Sequence, residues 1–150
     1  MISICIPIYN FHVVDLIITI INQGEESKKP YEVICIDDGS NKEILKLNEE
    51  IKSYKKVKYL ILKKNIGRSK IRNLFLENAN YENLLFIDCD CSIQSENFLE
   101  KYFEQVNNSV VYGGRIHHNN PPKNKEKRLR WLYGIKKEDQ NFNYLSLIHI

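Results

Sequence analysis

The stretch Val33-Ile-Cys-Ile-Asp-Asp-Gly-Ser40 joins a short β-branched run to an acidic turn that contains glycine. The apolar part favours a strand buried on both faces, and Asp, Gly and Ser are typical of the turn that ends a strand. Three more apolar runs of this kind, at 2–8, 57–62 and 84–87, recur at intervals of roughly 25 to 30 residues. The sequence therefore predicts four buried strands.

The segments between these strands carry apolar residues at helical spacing. They predict three helices, over 13–22, 42–53 and 66–79. Strands that alternate with helices imply right-handed crossovers and a parallel sheet with helices on both faces. The predicted fold class is therefore α/β, with a doubly wound, mostly parallel, Rossmann-like sheet.

Two helix starts and one further strand are also expected. Ser40 and Glu43 match a capping box at the start of the second helix. Ser95 precedes apolar residues from Phe98 to Val106, which suit a fourth helix with Ser95 as its cap. Val110-Val-Tyr112 predicts a fifth strand.

The composition and net charge of the chain limit the classes of function that it can have. Hydrophobic residues make up 43% of the chain and charged residues 27%, which is ordinary for a globular protein. The formal net charge is only +3 and the lysines are mixed with acids, so nucleic acid is not an expected partner. Without a recognisable signal peptide or membrane span, we expect a cytoplasmic protein with reduced cysteines. The basic run from Lys123 to Arg130 is better explained as a solvated loop or helix face, although it leaves open a contact with phosphates or with anionic lipid at the inner face of the membrane.

Polar residues follow each of the four predicted strands. In an open parallel sheet, ligands bind beyond the carboxyl ends of the strands, because loops and helix N-termini converge there. All of these residues are therefore expected at one edge of the sheet, which we call the rim. The candidate site residues are Pro7, Tyr9, Asn10, Asp37, Asn65, Gly67, Arg68, Arg72, Asp88, Cys89 and Asp90.

Two kinds of acid are expected on the rim. Asp88 and Asp90 stand two residues apart at a strand exit, where their oxygens can lie near one divalent cation that neutralises a diphosphate, although Asp-x-Asp alone is more often a turn. Asp37 can accept hydrogen bonds from a ribose hydroxyl or a base N–H. Asp38 is better explained by a turn and a helix cap.

The remaining candidates suit the rest of a nucleotide. Arg68 and Arg72 lie four residues apart on one helix face and can hold a diphosphate, with Gly67 permitting close approach of the backbone. The competing explanation is a surface helix that merely carries basic residues. Tyr9 can lie flat against a base while Asn10 reads its edge, although an aromatic residue after a strand more often packs in the core.

Four ordered motifs resemble the family-2 glycosyltransferases of the A-type fold, from Ile2 to about Arg115. They are Ile4-Cys-Ile-Pro-Ile-Tyr-Asn10, Ile34-Cys-Ile-Asp-Asp-Gly-Ser40, Asn65-Ile-Gly-Arg-Ser-Lys-Ile-Arg-Asn73 and Leu85-Phe-Ile-Asp-Cys-Asp90. The resemblance implies transfer of a sugar from a nucleotide-diphosphate donor, most commonly a uridine diphosphate sugar, with inversion at the anomeric carbon. It implies Mn²⁺ or Mg²⁺ as cofactor. A glycan or lipid-linked acceptor, and a role in polysaccharide biosynthesis, follow by analogy.

The same resemblance assigns roles to individual residues. Pro7, Tyr9 and Asp37 surround the nucleobase and ribose in this interpretation, and the two arginines lie near the pyrophosphate. Asp88 and Asp90 form the family's Asp-x-Asp site, with Asp90 touching the metal most directly.

Two departures from the family pattern stand out. Cys91 occupies the place where many members carry a third acid. The family's general base comes from the later, acceptor-side part of the fold, where this chain offers only Glu138 and Asp139, so we expect the base to be absent. We accordingly expect a nucleotide-sugar-binding domain over 1–115 and a partial, poorly ordered acceptor-side segment over 116–150, as in a truncated protein.

Three alternatives stay open. The chain can be a catalytically incompetent module that retains nucleotide-sugar binding. A nucleotidyltransferase also uses paired acids and a metal, but the sequence lacks the glycine-rich basic loop that such an enzyme carries after its first strand. A zinc site made of Cys89, Cys91, His117 and His118 lacks the usual ligand spacing.

Overall fold

A computed structural model describes residues 1–106, 110–113, 120–133, 135–136 and 145–148. Strands and helices alternate along most of this chain. They are β1 (Ile2–Ile8), α1 (Val14–Ser27), β2 (Tyr31–Asp37), α2 (Lys42–Leu47), a 3-10 helix (Glu49–Ser53), β3 (Val57–Ile61), α3 (Arg68–Asn78), β4 (Leu84–Phe86), α4 (Phe98–Glu104), β5 (Val110–Gly113), a second 3-10 helix (Lys125–Lys127), α5 (Arg128–Tyr133) and β6 (Leu145–Ile148).

The strands form one six-stranded sheet in the order β3-β2-β1-β4-β6-β5. The first four strands are parallel, and β1 pairs with β2 from Ile2 opposite Tyr31 to Ile8 opposite Asp37. β6 runs antiparallel to both β4 and β5. The four predicted strands and the fifth at Val110 are confirmed, and so is the mostly parallel sheet.

Successive side chains of the strands enter two separate cores. Ile4 and Ile6 of β1 belong to a core that also contains Ile17 of α1 and Leu99 of α4. Cys5, on the opposite face, packs in a second core under α3. Because a strand sends alternate residues to opposite faces, a continuous apolar run serves both cores. Helices therefore cover both faces, which confirms the doubly wound architecture.

The cysteines fit this arrangement. Cys5 and Cys35 are fully buried, as expected, and all four cysteines are free thiols. Burial raises the pKa of Cys5 and Cys35 well above the usual thiol range.

Both predicted helix caps are wrong. The cap of α2 is Asn41, whose side chain accepts a hydrogen bond from Ile44 N at 3.0 Å, while the hydroxyl of Ser40 accepts one from Asn10 N at 2.8 Å. The Ser40 hydroxyl, which the capping box required, is thus bonded to the loop after β1 instead. Asn97 is the N-cap of α4 and makes no side-chain cap bond; Ser95 instead donates from its hydroxyl to the Asn97 side chain at 2.6 Å.

Two further features differ from the expectation. The predicted helix over 42–53 is broken at Asn48, where α2 ends and the 3-10 helix begins. The strand β6 was not predicted, and it brings residues beyond 115 into the sheet. The division into domains at residue 115 stays a prediction. Among the helices that the structure describes, none is long and apolar enough to cross a membrane.

Candidate functional site at the sheet rim

The rim lies where the order of the strands reverses. β2 and β3 extend the sheet on one side of β1, and β4 lies on the other side. The loops after β1 and β4 therefore diverge and leave a crevice at the carboxyl ends of the strands, which is where open α/β sheets bind ligands. Pro7 lies near the end of β1, Tyr9 and Asn10 follow that strand at this crevice, and Asp88, Cys89 and Asp90 follow β4.

Asp88 forms the electrostatic centre of the crevice together with two arginines of α3. Arg72 donates from Nη2 to Asp88 Oδ1 at 3.1 Å, and Arg68 Nη2 lies 3.7 Å from Oδ2. The side chain of Arg68 is 79% exposed, against 35% for Arg72 and 19% for Asp88. The Arg72 guanidinium also lies 5.5 Å from the ring centroid of Phe86, and its buried Nε has no hydrogen-bond partner among the residues that the structure describes. Arg72 is thus held in place, whereas Arg68 can move.

The predicted Asp-x-Asp pair is a hydrogen-bonded turn. Cys91 N donates to Asp88 O at 3.1 Å, and Asp90 lies exposed at the tip. Cys89 packs against the larger core, and burial raises the pKa of its thiol. Cys89 therefore contributes to packing beneath this turn.

The two carboxylates fit a hard cation in part. The described residues include no group of three or more His, Cys, Asp and Glu arranged to hold a metal. Two carboxylate oxygens completed by phosphate and water are nevertheless a common environment for Mg²⁺. Asp88 and Asp90 thus suit a cation that arrives with a diphosphate. His117 and His118, of the alternative zinc site, lie outside the described residues, as do Glu138 and Asp139.

Asp37 lies beneath the rim with no exposed surface. Its Oδ1 accepts from Ser40 N at 2.7 Å and its Oδ2 from the Tyr59 hydroxyl at 3.3 Å. Burial, followed by the charge of Asp37, raises the pKa of Tyr59, which keeps that hydroxyl a donor. Contact between Asp37 and a nucleotide stays a prediction. These two bonds leave each carboxylate oxygen a further lone pair, so such a contact needs access to the buried carboxylate and not the loss of either bond.

Asp38 instead ties the β2 loop to the start of α3. Its two oxygens accept from Ile66 N at 2.7 Å and from Gly67 N at 3.0 Å. Gly67 adopts φ +91°, a conformation that glycine permits, and Asn65 beside it is exposed. The backbone N–H groups just before α3 are therefore occupied by Asp38. A ligand can instead reach the exposed Arg68 and the half-buried Arg72 of α3.

The loop between β1 and α1 presents two aromatic rings. Tyr9 is 52% exposed and Phe11 42% exposed, so Tyr9 does not pack in the core. Asn10 has φ +49° and accepts a hydrogen bond from Asn41 N at 2.9 Å, which commits its side-chain oxygen to the protein. Sequence reasoning missed Phe11 and the buried Asn48. Phe11 stands one residue beyond the quoted motif, and Asn48 resembles an ordinary residue of a helix surface.

Comparison with known proteins identifies a family. The sequence pattern of "Glycosyl transferase family 2" matches residues 3–150. The poly(ribitol-phosphate) beta-glucosyltransferase of Bacillus spizizenii is 34% identical over 122 residues, which cover 77% of this chain and 19% of that protein. The chondroitin synthase of Pasteurella multocida is 30% identical over 120 residues, covering 75% of this chain and 12% of that protein.

Solved structures share the fold. S. aureus TarS 1-349 in complex with UDP-GlcNAc has a TM-score of 0.61 at 24% identity, over 83% of this chain and 37% of that one. The mannosyltransferase PcManGT from Pyrobaculum calidifontis, in complex with GDP-Man and Mn²⁺, has a TM-score of 0.60 at 16% identity, over 78% of this chain and 35% of that one. This chain thus spans less than half the length of each of these four proteins. The family match over nearly the whole chain confirms the resemblance carried by the four motifs, and the chain belongs to glycosyl transferase family 2.

Proposed function

We propose that the rim binds the nucleoside diphosphate part of a sugar donor, with uridine diphosphate as the preferred nucleotide, and that the complete protein transfers the sugar to a glycan or lipid-linked acceptor with inversion. The observation that carries this proposal is the Asp88 carboxylate between Arg72 and Arg68 at the crevice. Two relatives support a polymer acceptor by their names, and TarS has been solved with UDP-GlcNAc.

The charges of the site suit a departing diphosphate. Arg72 and Arg68 present guanidinium groups that can bind phosphate oxygens bidentately. Asp88 and Asp90 repel a bare diphosphate, so they favour one that carries a divalent cation, Mn²⁺ or Mg²⁺. When bound, the cation supplies positive charge that stabilises the leaving diphosphate. In this proposal Asp88 exchanges part of its contact with the arginines for the cation, Arg72 binds the phosphates from the place where it is held, and Arg68 turns to them.

The other rim residues bind the nucleoside. Tyr9 offers an exposed ring on which a base can stack. Pro7 and Asn10 shape the floor and edge of the base pocket, Asp37 faces the ribose, and Asn65, Gly67 and Cys89 line the path of the diphosphate. These roles rest on the position of each residue at a strand end.

Calorimetric titration with uridine diphosphate, with and without Mn²⁺, tests the donor site. We expect Mn²⁺-dependent binding that Asp88→Ala and Asp90→Ala each weaken by about tenfold or more. Glu49→Ala is the control, because Glu49 forms only an exposed ion pair with Lys52, at 3.3 Å. A folded wild-type protein that binds no nucleotide under either condition contradicts the proposal.

A second assay separates an enzyme from a binding module. Metal-dependent release of uridine diphosphate from a donor sugar, above the rate of the Asp90→Ala variant, supports catalysis by this chain. Binding without such release favours the catalytically incompetent module. Release of pyrophosphate from a nucleoside triphosphate and a sugar phosphate identifies a nucleotidyltransferase instead.

We propose in addition that α5 contacts an anionic membrane surface. Residues 120–136 contain six lysines and arginines against one acid, Glu126, and three of their apolar side chains are exposed. The cytoplasmic location at the inner face of the membrane is part of this proposal.

A further inference from the structure

A fully buried asparagine lies beneath the loop between β1 and α1. Asn48 stands at the break between α2 and the 3-10 helix, and it has no exposed surface. Its Oδ1 accepts from Val13 N at 3.0 Å, and its Nδ2 donates to Phe11 O at 2.9 Å. α1 has no side-chain cap of its own at Val13. Asn48, from a distant part of the chain, therefore holds the backbone of this loop from its buried side.

The same asparagine adjoins a chain of polar groups that leads back to the loop. Burial and Asp37 raise the pKa of the Tyr59 hydroxyl overall, whereas the Asn48 amide lowers it, so Asn48 and Tyr59 are neighbours. The Tyr59 hydroxyl in turn donates to Asp37 Oδ2 at 3.3 Å. Asp37 Oδ1 accepts from Ser40 N at 2.7 Å, and the Ser40 hydroxyl accepts from Asn10 N at 2.8 Å. The connected groups thus begin and end on the β1–α1 loop, and they lie directly under the proposed nucleoside pocket.

These hydrogen bonds are important for stability because the groups that form them are buried. A buried amide or carboxylate stabilises a protein only when its hydrogen bonds are made, and each is expensive once a partner is lost. An apolar residue in place of Asn48 would leave Val13 N and Phe11 O without these partners, so the shape of the loop depends on this asparagine. Polar groups that fix a loop also reduce the entropy that a ligand must remove on binding, and this raises affinity.

We propose that Asn48 and Tyr59 are positioning residues of the donor site. Asn48 holds the loop so that the exposed ring of Tyr9 faces the base, and Tyr59 sets the orientation of the Asp37 carboxylate. Neither residue reaches the rim surface in this role. The inference rests on the proposed function, because it assigns Asn48 and Tyr59 to the same nucleotide site.

The test uses two variants and one matched control. Asn48→Ala removes both bonds to the loop, and Tyr59→Phe removes one hydroxyl while keeping the ring. Ser3→Ala is the control, because Ser3 is equally buried and donates to Glu32 Oε1 at 2.6 Å near the start of β1, at the opposite edge of the sheet. We expect the dissociation constant for uridine diphosphate with Mn²⁺ to rise about tenfold in the two variants and less than about twofold in the control.

Stability and loop exchange are measured on the same proteins. All three variants are expected to lower the urea midpoint, so a loss of affinity confined to Asn48→Ala and Tyr59→Phe is not explained by lost stability. In the absence of nucleotide, Asn48→Ala is expected to speed hydrogen exchange over residues 9–13, and Ser3→Ala to leave it unchanged.

The possible outcomes are separable. Wild-type affinity in both variants overturns the inference, as does a loss of affinity in Ser3→Ala that matches its fall in stability. If Asn48→Ala does not fold, the affinity of Tyr59→Phe decides. A wild-type protein that binds no uridine diphosphate overturns the proposed function instead, and unchanged exchange over 9–13 in Asn48→Ala then overturns the loop-holding role separately.

Discussion

At the scale of single residues, Gly39 is where two rim loops touch. Its φ is +76°, and a Cβ atom built on it would lie 2.7 Å from the backbone carbon of Lys64 and 2.8 Å from Asn65 N. A backbone neighbour cannot swing aside as the end of a flexible side chain can. Gly39 therefore allows the β2 loop to lie against the β3 loop, which carries Asn65 and leads to the arginines of α3.

Replacement of this glycine tests that packing. We expect Gly39→Ala to lower the free energy of unfolding by roughly 2–4 kcal/mol, from backbone strain and the clash with Lys64 together. Gly67→Ala is the matched control, because Gly67 has φ +91° but nothing lies within 4 Å of a Cβ atom there. Its cost is strain alone, roughly 1–3 kcal/mol. Urea unfolding in which Gly67→Ala is the more damaging change contradicts this account.

The two arginines of the crevice allow a second prediction at this scale. Arg72 is half-buried and bonded to Asp88 at 3.1 Å, whereas Arg68 is exposed at 3.7 Å. A group that is already held loses less entropy when it binds a phosphate. Arg72→Ala is thus expected to weaken binding of uridine diphosphate by about tenfold, and Arg68→Ala by only about two- to threefold. Calorimetry at one salt concentration measures both, and the reverse order of effects would count against the assigned roles.

At the scale of elements, α2 shows why a local motif is an incomplete guide. Ser40 and Glu43 have the spacing of a capping box, yet Asn41 caps the helix. The hydroxyl of Ser40 is taken by Asn10, which lies 30 residues earlier in the chain. A sequence motif records which groups can pair, and the fold decides which of them meet.

The energetic consequence for α2 is measurable. Asn41→Ala is expected to cost about 1 kcal/mol of stability, because it leaves Ile44 N without its acceptor. Glu43→Ala is expected to cost less than about 0.5 kcal/mol, since the capping box does not form. Urea unfolding of the two variants checks the pair. A larger loss of stability in Glu43→Ala than in Asn41→Ala would instead indicate that the capping box forms.

The strands could be predicted from the sequence, whereas the break between α2 and the 3-10 helix could not. The difference has a physical reason. Ile2–Ile8 was predicted over its observed bounds, because a strand buried on both faces must be apolar throughout. The interruption at Asn48 depends on bonds to Phe11 and Val13, more than 30 residues away. A polar residue in a segment of helical pattern resembles one that faces solvent until its distant partners are known.

At the scale of the whole molecule, the sheet explains which parts of the site could be foreseen. Parallel strands carry their carboxyl ends to one edge, so Tyr9, Arg72 and Asp88 were expected together on the rim, and the structure places them there. The burial of Asp37 was not foreseen, because its partner Tyr59 comes from the next strand and reaches it only when the sheet has formed. β6 escaped prediction because four residues between unpatterned segments carry little periodicity.

The proposed membrane contact of α5 rests on its exposed apolar side chains and on the arginines beside them. Leu129, Leu132 and Tyr133 are 79%, 40% and 56% exposed, and their spacing places them on one side of the helix. Arg128 and Arg130 flank that side, while Trp131 on the opposite side is partly buried. An exposed apolar strip with arginines on both flanks complements acyl chains bordered by anionic headgroups.

Vesicle sedimentation tests this surface. We expect the protein to bind vesicles that contain phosphatidylglycerol, to bind phosphatidylcholine vesicles far less, and to be released as salt rises, because each basic residue contributes about 1 kcal/mol near an anionic surface. The double variant Leu129→Ala/Leu132→Ala is expected to weaken the binding. Leu47→Ala is the matched control, since Leu47 is 49% exposed on α2. Equal binding to both kinds of vesicle would contradict the role of the anionic headgroup. Self-association through the same leucines, in place of vesicle binding, would assign the strip to protein contacts instead.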